Sequence, residues 1–194
     1  PHLHLCLQSG SSRVLLAMRR MYTRDGYDGL VADIRGERPD IDLTTDVLLG
    51  FPGEAEEDFC RTLEALEQHR FSHVHAFPYS VRAGTRTARM PDKVPGPEIR
   101  SRMKRLTTLA ETVKREERAA RIGSVETVLV ENSLPEAQQL LDESLQAARS
   151  SSVSNPSSVY RGIGDHYLHV QVSTETPFRP GSPGTRNGTA PDLL

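Results

Sequence analysis

Thr44-Thr45-Asp46-Val47-Leu48-Leu49-Gly50-Phe51-Pro52-Gly53-Glu54 is the stretch around which this chain is organised. β-Branched and apolar residues follow a turn at Arg38-Pro39-Asp40 and run into Gly-Phe-Pro-Gly, which cannot continue a strand. Acidic residues then open a helix, where they suit the positive end of the helix dipole. The stretch therefore reads as buried strand, glycine turn and helix N-terminus. In parallel sheets ligands bind outside the carboxyl ends of the strands, where such turns lie. Gly50 and Gly53 permit positive φ and close approach of a ligand to the backbone. Pro52 stiffens the turn. An ordinary tight strand-to-helix loop accounts for the same residues equally well.

Working outward, residues 2–7 read as a strand, and Ser11 or Ser12 as the cap of a short helix bearing Val14, Leu15 and Met18. Thr23 caps a second helix with Tyr27, Leu30, Val31 and Ile34 on one face. Residues 41–49 form the central strand. A helix over 55–69 has Phe59, Leu63 and Leu66 as its apolar stripe, and Cys60 on that side as a small buried hydrophobe. Residues 73–79 form a third strand. Strand, two helices, strand, helix, strand implies parallel βαβ units. Beyond an irregular loop at 80–96, a basic helix runs from 98 to about 122 with Ile99, Met103, Leu106, Leu109 and Val113 at three- and four-residue steps. Residues 125–131 and 167–172 read as short strands, 135–149 as weakly helical, 150–158 as a low-complexity linker and 174–194 as a disordered tail.

Composition narrows the function classes. Hydrophobic content is 36% and concentrated in the first half, and the net charge of -2 exerts no global pull toward nucleic acid. The sequence has no apolar run near membrane-spanning length and no secretory h-region. Its two cysteines, Cys6 and Cys60, make neither a disulfide framework nor a metal site by themselves. These features point to a cytoplasmic protein with no membrane or DNA partner. The chain opens inside a strand, without an initiator Met, which is the pattern of a fragment.

The central stretch resembles the fifth-strand segment of radical S-adenosylmethionine (SAM) methylthiotransferases. His4-Leu5-Cys6-Leu7-Gln8-Ser9-Gly10-Ser11 resembles that family's fourth strand, where Pro is usual at the position of Cys6. Met18-Arg19-Arg20-Met21-Tyr22-Thr23 resembles the following segment. His73-Val74-His75-Ala76-Phe77-Pro78-Tyr79-Ser80-Val81-Arg82-Ala83-Gly84-Thr85 resembles the sixth strand and its loop. The resemblance covers roughly residues 2–95. It implies an α/β fold: the second half of a six-stranded partial (β/α) barrel over 1–97, then the helix over 98–122. Residues 123–173 would be an incomplete RNA-binding β segment of the TRAM type.

The resemblance also implies SAM and 4Fe-4S clusters as cofactors and tRNA as partner. The family holds its radical-generating cluster with a C-x3-C-x2-C loop, and no such spacing occurs here; no catalytic cysteine can be named. The SAM side would fall to Gln8 and Ser9 at a strand end, to Gly50 and Phe51 for adenine, and to Asp46, a buried carboxylate that must be paired. A polar turn, a packed Phe and a structural anchor are their plain alternatives. Tyr79, Ser80 and Arg82 would face substrate at the barrel mouth, Arg82 pairing with phosphate or carboxylate. Arg102 and Arg105 on the basic helix would contact RNA, although a solvated helix packed on the barrel is the favoured account.

Alternation places His2 with His4, and His73 with His75, on shared strand faces. A polar barrel lining is favoured there over metal ligation, and no metal set is assigned. Phe71 to Ser80 resembles the type acting on N6-threonylcarbamoyladenosine, with Arg82 available for the threonyl carboxylate. The type acting on N6-isopentenyladenosine is the alternative, and a non-catalytic RNA-binding remnant is a third reading.

Overall fold

A computed structural model describes residues 2–133, 158–164, 166, 169–174 and 183–187. The chain divides into two compact units, Pro1–Ala120 and Arg121–Leu194.

The first unit is α/β with a parallel sheet, as expected. Its strands are β1 (His2–His4), β2 (Asp42–Leu49) and β3 (His73–Pro78), in that order in the sheet. Helices α1 (Ser12–Ala17) and α2 (Arg24–Glu37) cross from β1 to β2, and α3 (Glu56–His69) crosses from β2 to β3. Both strand pairings are parallel, with His4 opposite Thr44 and Asp46 opposite His75. Strand alternation then sorts the side chains. Leu43, Val47 and Leu49 join Leu7, Phe59, Leu66 and Phe71 in the core. Thr44, Asp46, His73 and His75 belong to the opposite face.

β1 is shorter than the expected residues 2–7. The offset to β2 is 40 at His4–Thr44 and 39 at the isolated bridge Gln8–Val47. A one-residue slip therefore lies between them. The buried Thr45 hydroxyl fills the gap: it donates to the Leu5 carbonyl at 2.8 Å and accepts from the Leu7 amide at 2.9 Å. Gln8 then adopts φ +64, and Gly10 presses against the backbone of α3, where an added Cβ would lie 2.3 Å from the Arg61 carbonyl oxygen.

Two helix details differ from expectation. Leu30, placed on the buried face of α2, is 46% exposed, while Tyr27 and Val31 are buried. Cys60 is only half-buried, its thiol 3.9 Å from Glu56. The last helix among the described residues, α4 (Gly96–Ala120), buries Leu106 and Val113, and Arg102 with them.

The second unit holds a four-stranded antiparallel sheet in the order β6-β5-β4-β7. These strands are β4 (Val125–Ser133), β5 (Ser158–Gly164), β6 (His169–Thr174) and β7 (Pro183–Asn187). β7 falls inside the stretch read as a disordered tail; it pairs with β4 from Val125–Asn187 to Leu129–Pro183. Pro, Gly and Ser suppress the sequence signal of a strand, but as an edge strand β7 needs only one hydrogen-bonded side. The helix expected at 135–149 and most of the linker at 150–158 lie outside the described residues.

Candidate functional site

The carboxyl ends of the three parallel strands and the sheet face opposite the core carry most of the residues singled out above. Gly50 and Gly53 take φ +76 and +83, so the turn after β2 does require glycine. Its surroundings are protein. A Cβ on Gly50 would lie 2.5 Å from the Ile99 side chain of α4. Phe51 is 4% exposed and makes an edge contact with Tyr79 at 5.7 Å between ring centroids. Both residues are packed, in keeping with the plainer of the two readings of each.

Glu54 closes the turn. Its carboxylate accepts from the Gly50 amide at 2.7 Å and from the Arg102 guanidinium at 2.9 Å. Arg102 also donates to the Glu54 carbonyl at 3.1 Å and pairs with Glu98 and Glu56. Both side chains are at most 2% exposed. Burial pushes the Glu54 carboxyl up, against the Gly50 amide and Arg102, which favour the carboxylate. Arg102 is thus a buried anchor of α4 on the turn, and not a surface contact for RNA. A charge so placed must be paired, and a guanidinium can serve several oxygens at once. Arg105 lies half exposed over the Phe59 ring, 4.7 Å from its centroid, and is paired with Glu56.

The turn after β1 is equally closed. Ser9 is fully buried and its hydroxyl accepts from the Ser11 amide at 3.2 Å. Ser11 is the N-cap residue of α1 but does not cap through its side chain; its hydroxyl donates to Asp58 at 2.6 Å. Asp58 also binds Arg13 and the Ala55 amide. Burial alone would raise the Asp58 carboxyl; these donors outweigh it and hold the group below the usual range. Ser80 and Arg82 are exposed beyond β3, and the Arg82 carbonyl accepts from the Thr85 hydroxyl at 2.7 Å.

Gln8, half-buried, bridges to Val47 at the end of the sheet, its backbone amide donating to the Asp46 carbonyl at 2.8 Å. Next to it lies a cluster absent from the sequence reading. The Cys6 thiol donates to Asp46 Oδ2 at 3.5 Å, His4 Nε2 is 3.4 Å from Cys6 Sγ, and His4 Nε2 is 3.5 Å from Asp46 Oδ1. His4 Nδ1 and His2 Nε2 each lie 2.9 Å from the Thr44 hydroxyl. The His75 ring is 6.0 Å from that of His4 and 4.3 Å from that of His73. Burial, reinforced by Asp46, pushes the Cys6 thiol up. Burial and then the neighbouring His75 lower the His73 imidazole. The alternation of His4 and Cys6 was a usable signal; Asp46 joins them only through the pairing register, which one strand's sequence does not contain. Asp46 is paired, as its position in an apolar strand requires.

No family model matches the chain. Curated relatives do, among them proteins named tRNA-2-methylthio-N(6)-dimethylallyladenosine synthase. The protein from Mycobacteroides abscessus is 45% identical over 130 residues, which are 67% of this chain and 26% of the relative. The Acetivibrio thermocellus protein is 47% identical over 130 residues, 67% of this chain and 27% of the relative. The Thermobifida fusca protein is 46% identical over the same shares, 67% and 26%. The chain thus spans about a quarter of the length of these relatives. Their name specifies the dimethylallyl (isopentenyl) nucleoside, the alternative given above, and not the threonylcarbamoyl nucleoside to which Phe71–Ser80 pointed. In the structure that short stretch holds β3, which ends at Pro78.

Proposed function

We propose that this chain is part of a tRNA-modifying methylthiotransferase that installs a methylthio group at C2 of N6-dimethylallyladenosine by radical SAM chemistry. Similarity of 43% to 47% over 130 residues to synthases so named carries the proposal. The parallel β1-β2-β3 sheet supports it as half of a (β/α) barrel, and the four-stranded sheet of the second unit supports an RNA-binding β module. In this reading tRNA is the partner.

The two cofactors fit the chain unequally. Three thiolates are needed for a cluster that leaves one iron open, and only Cys6 and Cys60 are available. A 4Fe-4S cluster therefore does not fit these residues, and no step is assigned through it. SAM, which would supply the radical when bound to such a cluster, finds polar groups on the open sheet face. Gln8, with a hydrogen-bonding carboxamide at the strand end, is the residue best placed to hold it. Ser9, Gly50 and Phe51 are packed in the turns after β1 and β2. Tyr79, Ser80 and Arg82 lie beyond β3, where a nucleoside would enter.

Nucleoside mass spectrometry of tRNA, from cells with and without the gene encoding this chain, tests the proposal. Deletion should remove the 2-methylthio derivative of N6-dimethylallyladenosine and leave the unthiolated nucleoside to accumulate. Loss of the methylthio-threonylcarbamoyl nucleoside alone would assign the other substrate, on which Arg82 would meet a carboxylate.

A further inference from the structure

We propose that His4, Cys6 and Asp46 form a binding site for a divalent metal of zinc type, with His4 Nε2, Cys6 Sγ and one Asp46 carboxylate oxygen as ligands and a fourth position open. His4 Nε2 lies 3.4 Å from Cys6 Sγ, and Asp46 reaches the two with different oxygens, Oδ2 at 3.5 Å from Cys6 Sγ and Oδ1 at 3.5 Å from His4 Nε2; with one oxygen taken, all three donors lie within 4.8 Å of one another. Zinc bonds of about 2.3 Å to sulfur, about 2.0–2.1 Å to nitrogen and about 2.0–2.2 Å to oxygen place tetrahedral donors roughly 3.3–3.6 Å apart. The nitrogen–sulfur edge, and one edge from either carboxylate oxygen, already have that length. A thiolate, an imidazole and a carboxylate together favour zinc over magnesium or calcium, which take oxygen donors.

The surroundings support the same assignment. The Thr44 hydroxyl lies 2.9 Å from both His4 Nδ1 and His2 Nε2. In the tautomer where His4 Nδ1–H donates to this hydroxyl, Nε2 is left to bind a metal, the usual role of an outer-shell partner. Cys6 and Asp46 are half-buried and His4 is more open, so an ion can enter and a fourth ligand can reach it. On binding, the S–H bond of Cys6 breaks, its proton leaves to solvent and the sulfur electron pair forms the bond to the metal. Asp46 is then a metal ligand and not a contact for SAM. The site does not depend on the tRNA reading; either can fail while the other stands.

Cobalt(II) is the probe, since it reports thiolate ligation by a near-ultraviolet charge-transfer band. The full 194-residue chain, reduced and stripped of metal, is titrated anaerobically. The band should appear, saturate at a single cobalt per chain and disappear when zinc is added. Cys6→Ser should abolish it and Cys60→Ser should not. Thr44→Val should weaken binding by about 10–100-fold through the loosened imidazole, and His4→Ala by at least as much. The three ligand side chains lie outside the apolar core, so far-ultraviolet circular dichroism should be unchanged in their variants. A second readout is thiol alkylation followed by peptide mass spectrometry: zinc should protect Cys6 and leave Cys60 reactive. No charge-transfer band, a band that survives Cys6→Ser, or equal alkylation of Cys6 with and without zinc would each overturn the site.

Discussion

Arg102 shows at the scale of one residue why a positive charge on an amphipathic helix does not announce its role. It sits four residues before Leu106 and so falls on the apolar stripe, yet it is a cation. Its partner Glu54 lies 48 residues earlier, at the end of the central stretch. Both were visible in the sequence; their meeting was not, because it depends on how α4 crosses the turn after β2. Arg102→Ala leaves the Glu54 carboxylate buried without a countercharge and should cost about 3–5 kcal/mol in urea unfolding. The double variant Glu54→Leu, Arg102→Met should recover most of that loss, a result an RNA-contact role would not produce. Asp58 and His69 add a pH dependence. The Asp58 carboxyl is held low by Arg13, Ser11 and the Ala55 amide, so its contribution is present above the unfolded value of about 3.9 and lost as pH falls through the lower folded value. Burial lowers the His69 imidazole, against the opposing pull of Asp28. The folded state therefore resists protonating it, and stability falls as pH drops below about 6.5. Urea midpoints measured from pH 8 to pH 3 should decline in both windows. His69→Gln should remove the upper decline and Asp58→Asn the lower one; a profile unchanged by either substitution would contradict these assignments.

At the scale of elements, the periodicities carried most of the first unit. Residues 41–49 were read as a strand and β2 is Asp42–Leu49; residues 55–69 were read as a helix and α3 is Glu56–His69. Register was not legible. The slip between His4 and Gln8 depends on Thr45 replacing two ladder bonds with its hydroxyl, and nothing local to residues 4–8 encodes it. β7 was also illegible, since Pro183 and Gly184 look like tail and become a strand only beside β4. The turn after β2 illustrates the same limit. Gly50 was read as permitting positive φ and close approach of a ligand; it takes φ +76, and the atoms crowding it belong to Ile99. Gly50→Val should destabilise the first unit by at least about 2 kcal/mol, from backbone strain and overpacking together. Adding Ile99→Ala should relieve the overpacking and leave the strain. Equal urea midpoints for Gly50→Val and the unsubstituted chain would show the turn to be looser than described.

For the whole molecule, the α/β class and the parallel crossovers followed from the order of elements, and the likeness to methylthiotransferases from short motifs at strand ends. The nucleoside did not follow from either. Residues 71–80 hold the end of β3 at Pro78, and the chain spans about a quarter of its relatives' length. Composition was likewise silent: a net charge of -2 hides the basic residues along α4. The central claim concerns one modified nucleoside, and the most direct measurement is the tRNA of a deletion strain rescued by the complete gene. Liquid chromatography with mass spectrometry should show the 2-methylthio-N6-dimethylallyladenosine peak lost on deletion and restored on rescue. If that peak is untouched by deletion, the proposed function is wrong.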